Sequence, residues 1–250
     1  MTFARNTIKT VLVIDDEAAT LTMFRLFLNA YGYTAMTAEN GAAGLQLLGK
    51  HHPDIVFTDI KMPGMNGFEV LKTIKREAPA TEVIVITGHG DMDHAVRALN
   101  LEATDFITKP IRRSALDAAL KRAEARLLND QRGIVPVQMD ISSDVAILVI
   151  RGTLSGAHKA LLMALMDQAS AADAKGIVLR FDEHAAVNGT GIALLTRLIA
   201  EARSDGTRFC ITGLSENFKT IFNMVGVTRL APYMDTLEAA VKAVSQNARS

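Results

Sequence analysis

The segment VLVIDDE, residues 11–17, sets the fold of the first half of this 250-residue chain. Four consecutive apolar residues come before three acidic ones, so the apolar run is continuous rather than alternating. A strand that is covered on both faces has such a run, whereas a strand with one face in water alternates. In parallel sheets of this kind, ligands bind at the carboxyl ends of the strands. The segment therefore predicts a buried parallel strand that ends at a polar site.

Strand and helix patterns alternate around this segment through the first half of the chain. The predicted strands cover residues 10–14, 33–38, 54–58, 82–87 and 105–108. The predicted helices fill the intervals at about residues 18–30, 41–50, 67–77, 91–99 and 111–131. Alternation of five strands with five helices predicts an α/β domain built on a doubly wound, five-stranded parallel sheet.

The second half of the chain has a different order of elements. Gly133 and Pro136 interrupt the preceding helix, so we expect one domain over residues 1–132 and another over residues 133–250. The predicted strands lie at residues 137–141, 145–151, 176–181 and 208–212. The predicted helices lie at residues 157–170, 190–203, 215–224 and 236–245. Because two strands come first and alternation follows, we expect a smaller α/β domain with a mixed sheet.

Composition narrows the classes of protein that this chain can represent. The 27 basic and 27 acidic residues balance, whereas a nucleic-acid-binding module normally has a basic face. The single cysteine, Cys210, excludes a disulfide within the chain and suits a reducing cytoplasm as a core residue. The chain has no apolar run of the roughly 20 residues that a membrane span needs, and no signal-peptide core. We expect a cytoplasmic protein with no membrane span and no nucleic-acid partner.

Polar side chains follow or end the predicted strands. Asp15 and Asp16 follow the first strand, Asp59 follows the third, Thr87 ends the fourth, and Lys109 follows the fifth. We expect these side chains to lie close together, because neighbouring parallel strands end at the same edge of a sheet. Crowded carboxylates favour a hard divalent cation such as Mg²⁺. An ammonium and a hydroxyl beside that cation would suit the stabilisation of phosphoryl charge.

Four motifs in the first half resemble the receiver domain of bacterial two-component response regulators, a flavodoxin-like fold. They read VLVIDDE, FTDIKMPGMNGFEVL, VIVITGHGD and DFITKP, and the resemblance covers about residues 8–130. The resemblance implies that Asp59 accepts a phosphoryl group from a histidine kinase. It also implies that Mg²⁺ is held by Asp16, Asp59 and the backbone carbonyl of Lys61, with Asp15 in support. Thr87 and Lys109 would then contact the phosphoryl oxygens.

Phe106 occupies the position of the aromatic switch residue in this family. It lacks the hydroxyl group that a tyrosine would offer there. The resemblance implies that the ring rotates inward on activation, without a phenol hydrogen bond to report the change.

The loop GHGDMDHA, residues 88–95, offers a second set of candidate metal ligands in His89, Asp91, Asp93 and His94. We prefer a structural interpretation, because Asp91 stands where it can cap the helix that follows.

The second half resembles the STAS domain, the fold of anti-sigma-factor antagonists, over about residues 134–246. The resemblance rests on the order of strands and helices, on the strand–turn–helix text FDEHAAVNGTGIALL and on the late segment FKTIFNMVGV. In that family the turn carries a hydroxyl residue that a partner kinase phosphorylates. Here Gly189 occupies the acceptor position, between Asn188 and Thr190, and Gly191 follows.

Three interpretations of this turn stay open. The preferred one is a helix start, in which Asn188 and Thr190 form the cap and first turn. The others are phosphorylation of Thr190, one residue beyond the usual acceptor, and binding of an anion by the free amides of the helix start.

Together these patterns predict a signalling protein that binds partners and is not an enzyme. Phosphorylation of Asp59 would control binding of the STAS domain to an anti-sigma factor or to a Ser/Thr kinase or phosphatase of a partner-switching system. The alternatives are a STAS module that senses a small anion or nucleotide, and a receiver that serves as a phosphate sink. Leu116, Leu120, Ala123 and Leu127 have the spacing of a dimer seam, although we prefer packing on the receiver's own sheet. A homodimer is therefore an open prediction.

Overall fold

The computed structural model describes residues 9–88, 90–132, 136–142, 144–183 and 185–245. Two compact units account for the chain, Met1–Ala123 and Glu124–Ser250. The predicted domain boundary between residues 132 and 133 borders a segment, residues 133–135, that lies outside the described residues. The division at residue 132 therefore stays a prediction. Within the described residues, no helix is long and apolar enough to cross a membrane.

The first unit has the predicted doubly wound α/β architecture. Its strands are β1 (Thr10–Ile14), β2 (Thr34–Ala38), β3 (Ile55–Asp59), β4 (Glu82–Thr87) and β5 (Asp105–Thr108). They form one sheet in the order β2-β1-β3-β4-β5, and every pairing is parallel. The helices are α1 (Ala18–Ala30), α2 (Gly41–His51), α3 (Gly67–Glu77) and α4 (Met92–Asn100), and α5 (Arg113–Arg132) begins in this unit and continues beyond Ala123.

The core of this unit lies on both faces of the central strands. Residues 11–14 of β1 are fully buried, as are residues 83–86 of β4. Burial of each such aliphatic side chain contributes about 1.5–3 kcal/mol, so these continuous apolar runs supply much of the drive to fold. The parallel register then aligns the strand ends, with Ile14 beside Thr58 and Asp59 beside Ile86. The sheet thereby brings the polar residues that follow each strand to one edge.

A glycine lets the first turn of α3 pass close to the end of β3. A Cβ atom on Gly67 would lie 2.1 Å from the backbone oxygen of Asp59, so no other residue fits without a shift of the backbone. Asn66 caps this helix through its side chain, which accepts hydrogen bonds from the amides of Phe68 and Glu69. The cap and the glycine together fix the backbone around Asp59.

A buried ion pair connects α5 with the beginning of β5. The guanidinium of Arg122 donates to the carboxylate of Asp105, and the Asp105 side chain is fully buried. The other carboxylate oxygen of Asp105 accepts the amide of Phe106 at 2.8 Å. Leu116, Leu120 and Ala123 of the same helix are buried, so these positions are not available to an exposed dimer seam.

The second unit is a smaller α/β fold with the predicted mixed sheet. Its main strands are β6 (Val137–Ser142), β7 (Val145–Ile150), β9 (Gly176–Phe181) and β11 (Arg208–Thr212), in the order β11-β9-β7-β6. Only the β6–β7 pairing of this sheet is antiparallel. The helices are α6 (Lys159–Ala171), α7 (Gly189–Ser204), α8 (Glu216–Met224), α9 (Val227–Leu230) and α10 (Leu237–Ser245). Cys210 is buried in the core beside Val178 and Val244, and burial raises the pKa of its thiol.

Three short elements were not predicted from the sequence. The strands β8 (Thr153–Leu154) and β10 (Ala186–Val187) pair in parallel as a separate two-stranded sheet. Two residues are too few to show a period, so such strands are visible only through their partners. The single-turn helix α9 was missed for the same reason, because its four residues cover little more than one turn and cannot show a helical period.

Replacement of Arg122 tests the buried ion pair. We expect Arg122→Met to lower the free energy of unfolding of the first unit by about 3–5 kcal/mol, because it leaves the buried Asp105 carboxylate without its cation. The matched control is Lys121→Met, which removes an exposed ion pair with Asp117 on the same helix and should cost less than about 1 kcal/mol. Denaturant unfolding of both variants provides the measurement, and equal losses would contradict the assignment.

Candidate functional site

The parallel sheet of the first unit gathers the predicted site residues at one edge. Asp15 follows β1, Asp59 and Thr87 are the last residues of β3 and β4, and Lys109 follows β5. Asp15, Asp59 and Thr87 are buried, whereas Asp16 is exposed at the mouth of the site. The residues that the sequence predicted as one site are therefore brought together by the fold.

Three carboxylates form a cluster that could hold a metal ion. One ligand oxygen from each of Asp15, Asp16 and Asp59 lies within 4.8 Å of the others. Within the part of the chain that the structure describes, no other group of three or more such side chains comes this close. Oxygen-only donors of this kind are typical of hard divalent cations.

The ammonium of Lys109 lies among these carboxylates. Its Nζ atom is 3.3 Å from Asp15 Oδ2, 3.6 Å from Asp59 Oδ1 and 3.5 Å from Glu17 Oε1. Glu17 was not predicted as a member of the site, although it directly follows the two aspartates in the sequence. One cation faces several carboxylates, so the site keeps an excess of negative charge.

The carboxylate of Asp15 shows how well the site fits a cation. Its Oδ1 atom accepts the amide of Glu17 at 2.8 Å, while Oδ2 is buried and has only the ion-pair contact with Lys109 among the described residues. A buried carboxylate oxygen that lacks hydrogen-bond donors carries a large desolvation cost. A divalent cation between Asp15, Asp16 and Asp59 would offset that cost.

Burial controls the protonation of both interior acids. Desolvation raises the pKa of Asp59 to about 6, and the charges of Asp15 and Asp16 act in the same direction against Lys109. Desolvation also raises the pKa of Asp15. Desolvation acts to lower the pKa of Lys109, but the carboxylates outweigh it and the pKa is raised overall. Lys109 is therefore charged at neutral pH, and the charged form of Asp59 is costly without a cation.

Two of the predicted contact and switch residues lie on strands: Thr87 on β4, which pairs with β3, and Phe106 on β5, the next strand of the sheet. The hydroxyl of Thr87 donates to the backbone oxygen of Asp91 at a distance of 3.5 Å. Phe106 is 1% exposed and pairs with Val85 in the sheet, so its ring is already in the interior. The coordinating role predicted for the backbone carbonyl of Lys61 stays a prediction.

The structure corrects the role that the sequence suggested for Asp91. This residue stands at the start of α4, but its side chain makes no capping hydrogen bond. Its carboxylate pairs instead with the ammonium of Lys61 at 2.7 Å and lies 3.6 Å from His94 Nδ1. The hydrogen bond with Lys61, together with its charge, lowers the pKa of Asp91. A partner distant in sequence competes with the local cap, which no local pattern reveals. His89, from the same loop, lies outside the described residues.

In the second unit, the segment Asn188, Gly189, Thr190 and Gly191 forms the start of α7. The side chain of Asn188 accepts the amide of Gly191 at 2.9 Å and so caps the helix. The Thr190 hydroxyl donates to that side chain at 2.8 Å and accepts the amide of Gly156 at 2.9 Å. A Cβ atom on Gly191 would lie 2.3 Å from the Leu154 oxygen. The turn therefore packs tightly against the end of β8.

Comparison with protein families finds two domains, and the division between the compact units, after Ala123, falls between the two matches. A family model for the response regulator receiver domain matches residues 11–121, and one for the STAS domain matches residues 136–240. The chain carries a receiver domain followed by a STAS domain. The acidic cluster therefore lies in a receiver domain, and the turn at residues 188–191 lies in a STAS domain.

Individual relatives match the receiver domain. The DNA-binding transcriptional regulator NtrC of Escherichia coli is 37% identical over 122 residues, which are 49% of this chain and 26% of NtrC. The transcriptional regulatory protein KdpE of Mycobacterium tuberculosis is 38% identical over 116 residues, 46% of this chain and 51% of KdpE. A receiver domain protein of Clostridium thermocellum has 32% identity and a TM-score of 0.47, over 50% of this chain and 99% of that one. The chain thus spans about a quarter of NtrC and half of KdpE.

The raised pKa of Asp59 makes the stability of the receiver domain depend on pH. The folded-state pKa of about 6 exceeds the ordinary value of 3.8. Below pH 3.8 the carboxyl is neutral in both the folded and the unfolded protein, so its burial does not lower the free energy of unfolding through ionisation. As the pH rises through 6, the charged form destabilises the fold by at most about 3 kcal/mol. In metal-free buffer, Asp59→Asn should therefore stabilise the domain at pH 8 and have little effect below pH 4.

Denaturant unfolding at the two pH values measures this difference. Asp93→Asn is the control, because Asp93 is an exposed acid near the site and outside the cluster. A stability gain of the same size at both pH values, or in both variants, would show that ionisation of Asp59 is not the cause.

Proposed function

We propose that Mg²⁺-dependent phosphorylation of Asp59 controls the binding of the STAS domain to a protein partner. The observation that carries this proposal is the placement of the Asp59 carboxylate, buried between the ammonium of Lys109 and the carboxylates of Asp15 and Asp16. This combination of a nucleophilic oxygen, one fixed cation and a cluster of carboxylates that could hold a metal supports phosphoryl transfer.

The phosphoryl donor is a phosphohistidine of a histidine kinase. An oxygen of Asp59 attacks the phosphorus, the new P–O bond forms as the P–N bond breaks, and the imidazole departs and takes a proton from solvent. Asp15, Asp16 and Asp59 would hold Mg²⁺, which neutralises charge on the phosphoryl oxygens. Lys109 would stabilise the same charge, since its ammonium is 3.6 Å from Asp59 Oδ1.

Thr87 supplies the first step of the response. A phosphoryl group adds about −1.5 to −2 charge at the end of β3 and presents strong acceptor oxygens. Among the described residues, the Thr87 hydroxyl has only a long hydrogen bond, 3.5 Å, to the backbone oxygen of Asp91. When the Thr87 hydroxyl donates its hydrogen bond to a phosphoryl oxygen instead, it releases the Asp91 carbonyl at the start of α4. The face of the receiver that includes α4 and β5 would then rearrange, with Phe106 on β5.

The output is a binding event rather than a catalysed reaction. The partner belongs to the class of anti-sigma factors or of Ser/Thr kinases and phosphatases that act in partner switching. Two features support the transfer of phosphoryl control from the STAS turn to Asp59. Glycine stands at position 189, and the Thr190 hydroxyl is held in two hydrogen bonds.

Phosphorylation with a small donor tests the acceptor and the metal together. Full-length protein treated with acetyl phosphate and Mg²⁺ should gain one phosphoryl group by intact-mass spectrometry, and a chelator should prevent the gain. Asp59→Asn should remain unmodified, while Asp93→Asn should react like the natural protein. Modification of Asp59→Asn to the same extent would contradict Asp59 as the acceptor.

Hydrogen–deuterium exchange tests the control of the STAS domain. Phosphorylation should change amide protection at residues 136–245 in the natural protein and leave Asp59→Asn unchanged, since allosteric couplings of about 1–3 kcal/mol alter opening equilibria severalfold or more. Unchanged protection in a fully phosphorylated sample would contradict control of the STAS domain and favour the phosphate sink.

An apolar patch on α1 is the surface that we propose for kinase docking. Leu26 is 68% exposed, Met23 on the same helix is also exposed, and so is Tyr31, which directly follows the helix. The helix begins directly after the acidic residues, and an exposed apolar patch commonly marks a protein-binding surface. A bound kinase could thereby present its phosphohistidine to Asp59.

A charge on this patch should separate kinase docking from chemistry. Leu26→Arg should slow phosphotransfer from the cognate kinase about tenfold, because a buried charge at the interface costs more than 1.4 kcal/mol. Labelling by acetyl phosphate should not change. Met224→Arg introduces the same charge on an exposed STAS residue as a control. Equal phosphotransfer rates in all three proteins would exclude the α1 patch.

A further inference from the structure

A cleft in the STAS domain lies away from the turn at residues 188–191. It occupies about 400 Å³ between the C-terminal halves of α6 and α7. The segments that lead into β9 and β11 also line it, so the cleft lies at the amino ends of these two parallel strands. The turn at residues 188–191 instead follows the carboxyl end of β9. The two surfaces are therefore separate.

The lining of the cleft combines apolar side chains with acidic ones. The apolar side chains include Met163, Met166 and Leu198, and Met163 is 44% exposed. The lining also has a single ammonium, from Lys175, and four carboxylates, from Asp167, Asp173, Glu201 and Asp205. Unbranched methionine side chains adapt to different partners, which is why they are frequent at protein-binding surfaces.

Two helix C-termini add to the negative charge of this cleft. Both α6 and α7 end at the cleft in the same way, with the amides of Ala174 and Thr207 donating to backbone oxygens five residues earlier, in Ala169 and Ala202. A helix C-terminus carries a partial negative charge, which basic side chains in the last turn commonly offset. The last turn of α6 has no basic residue. In α7 the only one is Arg203, whose guanidinium donates to the Leu230 oxygen.

The existing ion pairs leave part of this charge unbalanced. Lys175 pairs with Asp173, and Glu201 pairs with Arg197 at 2.7 Å on the same helix. Asp167 and Asp205 make no ion pair within the residues that the structure describes. The cleft thus presents an excess of negative charge beside the apolar side chains of Met163, Met166 and Leu198.

We propose that this cleft binds a basic amphipathic helix of a partner protein. An arginine or lysine of that helix would lie against the two helix C-termini and the carboxylates of Asp167 and Asp205. An apolar residue one turn away would cover Met163 and Leu198, in the manner of a helix that docks in a groove. Charge complementarity favours a cationic partner, and the methionine and leucine side chains of the lining favour a partner that also carries apolar side chains.

A bound metal ion does not explain the cleft. Among the described residues, only Asp15, Asp16 and Asp59 bring three carboxylates close enough to share an ion. No three of the cleft carboxylates come this close together, which suits cationic groups carried on a longer chain. This proposal does not depend on phosphorylation of Asp59.

Model peptides can test the proposal on the full-length protein. The probe is a synthetic helix with arginines and leucines along one face, and the comparison peptide has glutamates in place of the arginines. Fluorescence anisotropy should show binding of the arginine peptide alone. The double variant Asp167→Lys and Asp205→Lys should weaken that binding about tenfold or more, because like charges at an interface are strongly unfavourable.

Matched variants separate the cleft from general electrostatic attraction. Asp235→Lys with Glu238→Lys makes the same charge change at two exposed residues near α10 and should reduce affinity less than about twofold. Met163→Ser should weaken binding severalfold through loss of apolar contact, without any change in charge. Circular dichroism verifies that each variant is folded.

Three results would overturn the proposal. The first is an equal loss of affinity in the cleft and control variants, which would indicate attraction to the whole surface. The second is full affinity of Met163→Ser together with equal displacement of the peptide by spermidine, which would indicate a site for small cations. The third is no binding of the arginine peptide to the natural protein. Asp59→Asn should bind the peptide normally, so failure of this proposal and failure of phosphorylation control are distinguishable.

Discussion

A carboxylate held in the interior beside other carboxylates is the constraint on which the receiver domain depends. Asp15 is fully buried and Asp59 is 4% exposed, because both follow apolar strands in the middle of a covered parallel sheet. One ammonium, from Lys109, lies within 3.6 Å of both. The fold therefore holds the Asp59 carboxylate in a desolvated, charged state that a bound cation or a change in its charge would stabilise. Such a site responds strongly to chemistry at one atom.

The same sheet determines how a change at Asp59 can spread. Its register places Ile86 beside Asp59 and Thr108 beside Thr87, so the ends of β3, β4 and β5 form one continuous edge. Asp91 is connected to this edge twice, through its carboxylate to Lys61 and through its backbone oxygen to Thr87. A displacement of the Thr87 hydroxyl would therefore reach the start of α4 directly. By contrast, the STAS turn is tied by hydrogen bonds within its own domain.

Most of the fold follows from local patterns in the sequence. The strands β1, β4, β5, β9 and β11 begin and end at the predicted residues, because continuous apolar runs bounded by polar residues leave little choice of limits. The short strands β8 and β10 were missed, since each has two residues and exists only through its pairing with the other. The capping role predicted for Asp91 was wrong because Lys61, 30 positions earlier in the chain, takes its carboxylate.

The sequence alone determined the two α/β domains, the parallel sheet of the first and the identity of the acidic residues at its edge. These features depend on burial patterns and on strand ends, which the order of apolar and polar residues along the sequence encodes. Only the tertiary structure decided how far Asp59 is desolvated, how Lys109 divides its charge among three carboxylates, and where Asp91 finds its partner. It also created the cleft between α6 and α7, where four acids separated in sequence meet two helix ends. Distances between residues remote in sequence set these properties, and such distances exist only after the chain has folded.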